Sequence, residues 1–162
     1  MKRVFILLFL LVLWFPLTVN AQSSKDAYKA LKKLEAKIQT GISYKEYGPA
    51  LGDTKFEVNM FSESAEAKEK PRLKEIFNKT IGHYEEAGTV WRYRFAGRGV
   101  PNCMVPSDQG GDDSALIQQI LRSYPSTRSK IDSMGRLWYE DALKAIWQEA
   151  SEELKKAGPL LK

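Results

Sequence analysis

The chain has 162 residues, 43% of them hydrophobic, with one cysteine, one histidine and a formal net charge of +5. That length predicts one domain around one core, and a single cysteine excludes an intramolecular disulfide. The mild positive charge gives no argument for nucleic acid, which requires a concentrated basic face.

The N-terminus reads as a secretory leader. Lys2 and Arg3 precede an almost wholly apolar run over 4–19, and Val19-Asn20-Ala21 sets small residues where a signal peptidase cuts. The run is interrupted by Pro16 and is shorter than the ~20 residues a membrane-spanning helix needs, so cleavage is favoured over a retained anchor. No cysteine follows to make a lipoprotein. The expected product is an exported chain of residues 22–162, periplasmic or extracellular, and no longer an integral membrane protein. The leader holds two bases and no acid, so its removal takes the net charge from +5 to +3.

Residues 23–40 predict a first helix. Ser23 and Ser24 suit its N-cap, Ala27, Leu31, Leu34 and Ile38 make its apolar stripe, and Gly41 suits the left-handed residue that ends it. A second helix opens on Ser43-Tyr44-Lys45-Glu46, a capping-box pattern. Gly48-Pro49 then predicts a kink or restart. Beyond it, residues 55–61 fit both a helical face (Val58, Phe61) and a strand alternation (Phe56, Val58, Met60); the helix is favoured. Residues 62–70 are polar and read as a connector.

The longest pattern is Pro71–Phe95, where Leu73, Phe77, Ile81, Tyr84, Ala87, Trp91 and Phe95 draw one stripe down a helix, with Pro71 in its first turn. Gly88 and the alternation Trp91-Arg92-Tyr93-Arg94-Phe95 leave a strand over 89–95 as the competitor. Residues 97–112 are rich in glycine and proline and read as one irregular loop, longer than most structureless loops of compact domains. A further helix is expected from Asp112 to just before Pro125. Residues 126–130 link it to a last helix over 131–157, with Met134, Leu137 and Trp138 on its apolar stripe and Gly158-Pro159 as its stop.

The predicted fold is therefore all-α, a bundle of four or five helices in a single domain. The alternative architecture is α+β, with a small two-stranded sheet from 55–61 and 89–95.

Chemistry-bearing residues are sparse. Cys103 and His83, the sole thiol and sole imidazole, are the only candidates for thiol–imidazole catalysis, which needs the two within hydrogen-bond reach. One histidine and one cysteine fall short of a zinc site, and the loop acids Asp108, Asp112 and Asp113 lack the calcium-loop pattern, so no metal and no cofactor are expected. Asn78-Lys79-Thr80 matches a glycosylation sequon within the predicted helix. The most unusual composition is Trp91-Arg92-Tyr93-Arg94-Phe95-Ala96-Gly97-Arg98. Trp91, Arg92, Arg94 and Arg98 are the candidate ligand-binding residues, suited to a carboxylate, a phosphate or an anionic glycan, and the expected partner is another envelope protein or an anionic ligand. With no nucleophile elbow, phosphate-binding glycine loop or Rossmann fingerprint, the leading expectation is a non-enzymatic binding or interaction protein of the bacterial cell envelope. The alternatives are a thiol-dependent enzyme or redox protein using Cys103, and covalent attachment to a partner through Cys103.

Overall fold

The computed structural model describes residues 23–95, 102–104 and 112–161. These residues are mainly helical: α1 (Ser24–Gln39), α2 (Tyr44–Glu63), α3 (Ala65–Glu69), α4 (Pro71–Phe95), α5 (Asp112–Ser123) and α6 (Tyr139–Lys155), with 3-10 turns at Pro125–Lys130 and Gly158–Leu161. A two-residue ladder pairs β1 (Cys103–Met104) with β2 (Leu137–Trp138) in antiparallel register, Cys103 opposite Trp138 and Met104 opposite Leu137. The predicted leader and most of the 97–112 loop lie outside the described residues.

Local chemistry sets the helix ends. The Asp26 amide donates to the Ser23 hydroxyl at 3.3 Å to cap α1, and Gly41, at φ +93°, turns the chain out of it. Both halves of the capping box form on α2: the Glu46 amide donates to Ser43 Oγ at 3.4 Å, and the Ser43 amide donates to Glu46 at 3.2 Å. The expected restart at Gly48-Pro49 does not occur, and α2 runs through Pro49 without a break. Both residues are solvent-exposed. The lost hydrogen bond therefore falls on the wet side of the helix, where water solvates the carbonyl, and a glycine before proline has no Cβ to clash with its ring.

The α+β alternative is corrected in its placement, because 55–61 and 89–95 are both helical. In α2 the buried residues are Thr54, Val58 and Phe61, at helical spacing, while Phe56 and Met60 are left exposed. The residues read as a connector also fold: Ser64 closes α2 and its side chain accepts the Ala67 amide to cap α3. The last helix begins at Tyr139, not at 131. Asp132 takes the amides of Met134 and Arg136 at 2.9 Å and the Arg136 side chain at 2.8 Å, tying off a turn through Gly135 at φ +75°. Leu137 and Trp138 then join β1. Met134 and Trp138, expected on an apolar helical stripe, are exposed.

The core is organised around α4, which packs most extensively on α6 and also on α2 and α1. Leu73, Phe77, Ile81, Tyr84, Ala87 and Trp91 of the predicted stripe are buried, whereas Phe95 is 57% exposed. Opposite them lie Leu31 and Leu34 of α1, Val58 and Phe61 of α2, and Ile146, Ala150 and Leu154 of α6. Among the described residues, no helix is long and apolar enough to cross a membrane.

Candidate functional site

The second half of α4 lies against the first half of α2. A Cβ on Gly88 would lie in ordinary van der Waals contact with the Tyr47 ring at 3.4 Å and a Leu51 methyl at 3.6 Å, so these side chains of α2 rest directly on the α4 backbone. Gly48, one turn into α2, has open space where its side chain would be. Along this seam runs an open groove of about 530 Å³, with Tyr44, Lys45 and Leu51 on the α2 side and Thr89 and Arg92 on the α4 side.

Tyr44 and Tyr47 line the groove, with further aromatic rings behind them. Tyr44 lies 4.6 Å from Phe95 and 5.9 Å, edge-on, from Trp91, ring centroid to centroid. Trp91 continues inward to Tyr47 at 5.2 Å and to Trp147 of α6 at 5.5 Å. Burial pushes the Tyr47 phenol well above its ordinary pKa. Its hydroxyl donates to the Tyr84 carbonyl at 2.7 Å, fixing α2 on α4 beneath the groove.

The arginines divide by role. Arg94 is tethered, reaching Asn102 at 3.3 Å and Glu140 at 3.5 Å. It thereby fastens the end of α4 to the start of α6 and, through the Asn102 side-chain oxygen, to the residue just before β1. Arg92 is exposed and lines the groove; among the described residues it has no ion-pair partner, and neither does Lys45 across from it. The groove's acid, Glu85, is held by Lys55. Among the described residues, the lining therefore presents two cations without an ion-pair partner beside aromatic surface, groups that can pair with an anion.

No family model, curated protein or solved structure matches the chain.

Of the remaining sequence candidates, Trp91 is buried beneath the groove, and Arg98 and Asp108 lie outside the described residues, as do the side chains of Asp112 and Asp113. Cys103 is 1% exposed within β1. His83 turns instead to Tyr124, with Nδ1 at 2.8 Å from the phenol oxygen, and it lies 3.9 Å from Glu86. Asn78 of the sequon, within α4, accepts a hydrogen bond from Ser62 at 3.0 Å. Among the described residues, no group of three or more His, Cys, Asp or Glu is placed to hold a metal.

The sequence marks Arg92 by its basic, aromatic surroundings but does not mark its groove partners. In the sequence, Tyr44 and Lys45 stand out only as members of a capping box and Gly48 only as part of a helix-breaking pair. The groove joins residues some forty positions apart, so no local pattern in the sequence marks it.

Proposed function

We propose that this chain is a non-enzymatic binding protein of the cell envelope. On this reading it is exported by its leader and takes an anionic partner at the groove between α2 and α4. The observation that carries the reading is the pair Lys45 and Arg92, both without an ion-pair partner among the described residues, flanking a groove walled by Tyr44. Arginine and tyrosine are the residue types that dominate binding energy at protein contacts. Exposed Phe95 extends the surface at the end of α4. The export half rests on the basic, apolar and small-residue order of residues 1–21.

One experiment tests both halves. The protein is expressed in its own host and recovered from the envelope fraction, with wild type compared against the Lys45→Glu, Arg92→Glu double variant at equal loading. The expected result is a wild-type chain beginning near Gln22 that retains a partner. The double variant, with an unchanged melting temperature, should retain at least about tenfold less of it, because reversed rim charges repel an acidic surface. Equal retention by both forms, or an unprocessed chain in the cytoplasm, overturns the reading.

A further inference from the structure

Away from the groove, four polar side chains converge between α4 and the segment that begins with α5. The Tyr124 hydroxyl donates to Glu86 Oε2. Gln119 Nε2 donates to Glu86 Oε1 at 3.2 Å. His83 Nδ1 stands 2.8 Å from the same phenol oxygen and 3.9 Å from the carboxylate. Since the phenol gives its hydrogen to Glu86, it accepts from His83, so Nδ1 carries a proton and Nε2 is left as the outer nitrogen. The chain of donors therefore runs from His83 through Tyr124 to Glu86. His83 and Glu86 belong to α4; Gln119 belongs to α5, and Tyr124 directly follows it.

The segment these bonds fasten is distinctive. α5 packs on the 3-10 turn at Pro125–Lys130 and on β1, which carries buried Cys103. Ile117, Ile120 and Tyr124 give the segment an apolar underside. The polar connection from α5 and Tyr124 to α4, among the described residues, converges on the single carboxylate of Glu86. We propose that the Glu86 carboxylate, with Tyr124, Gln119 and His83, is a clasp that holds α5 closed over β1 and the lone thiol that β1 carries, and that removing the charge of this carboxylate opens the clasp and exposes Cys103.

The charge is the working part. A carboxylate accepting from a phenol and an amide makes charge-assisted bonds, and a neutral carboxyl or amide in its place makes weaker ones. His83 beside it, then the bonds from Tyr124 and Gln119, hold Glu86 below the ordinary carboxyl range against burial, which raises it. The clasp therefore stays shut at neutral pH and loosens as pH falls below that range. Burial first, then the bond to Glu86 and the more distant charge of Glu149 on α6, raise the Tyr124 phenol and keep it protonated and donating. The proposal is independent of the groove, since it concerns access to the thiol and not what the groove binds.

The test is the rate at which 4,4′-dithiodipyridine, a disulfide that reacts with thiols in both acid and neutral solution, labels Cys103. Each rate is normalised to that of the same chain in denaturant, with helicity followed by circular dichroism. Wild type should be protected at about pH 7. Glu86→Gln, which keeps the size and removes the charge, should be labelled at least about tenfold faster with the helical signal intact. Tyr124→Phe removes only the hydroxyl and should behave alike, so a Glu86→Gln chain that fails to fold leaves the question answerable. Labelling of Tyr124→Phe and Glu86→Gln at the wild-type rate overturns the clasp. So does labelling that rises only together with loss of helicity, because the thiol would then be released by global unfolding.

Discussion

Glu66, on the short helix α3, reaches the first turn of α1, where it accepts the Ser24 amide at 2.9 Å and the Ser24 hydroxyl at 2.7 Å. Lys70 completes the cluster at 2.8 Å. The Lys70 ammonium first, then the two bonds from Ser24, bring the Glu66 carboxyl down to about 2 from its ordinary 4.5. A depressed carboxyl stabilises the fold fully above its unfolded value and stops doing so as pH falls through its folded one. Glu66→Gln should therefore lower stability by about 1–2 kcal/mol at neutral pH. Denaturant titrations at several pH values should show the gap from wild type closing between 4.5 and about 2. A gap that stays constant over that range would mean that the charge of Glu66 contributes nothing. None of this was legible in the sequence, where Glu66 sat in a polar stretch that looked like a connector and its partner lay 42 residues away.

At the scale of elements, α2 carries the clearest signature and the clearest surprise. Its capping box was readable because the motif is contained in four consecutive residues, and both of its bonds are present. Ser43→Ala should lower stability by about 1 kcal/mol, measured as a shifted urea midpoint with unchanged slope; a shift below a few tenths would show that the exposed cap is replaced by water. The surprise is Pro49, tolerated because its side of the helix is solvated. The two runs where strand and helix competed were decided by long-range burial: Val58 and Phe61 have α4 to pack against, and Val90 and Trp91 have α2 and α6. The start of α6 was misplaced for a similar reason. The register of β2 depends on β1, a partner some thirty residues earlier with no pattern of its own.

Across the whole molecule, helical periodicity conveyed the architecture well because each apolar stripe must face another. It conveyed the sites poorly. The groove takes residues from the start of α2 and the end of α4, and the clasp joins side chains 33 to 41 residues apart, so neither leaves a local motif. Arg92 and Arg94, two residues apart and alike in composition, differ only in what surrounds them: one faces the groove and the other is tied to Glu140 and Asn102.

The edge-to-face contact of Trp91 with Trp147 has an optical consequence. The two indoles are 5.5 Å apart and inclined at 71°, one on α4 and one on α6. Transition dipoles that close and that oblique couple into an exciton pair, which should give a bisignate band in circular dichroism that a single indole lacks. Trp147→Phe should abolish that band and leave the helical signal in place. Under denaturant, the band and the helical signal should vanish at one midpoint if the bundle melts as a unit. If the band is lost first, the α4–α6 seam parts before its helices unwind. The protein thus carries an intrinsic chromophore pair that reports, without any attached dye, on the separation of its two most closely packed helices.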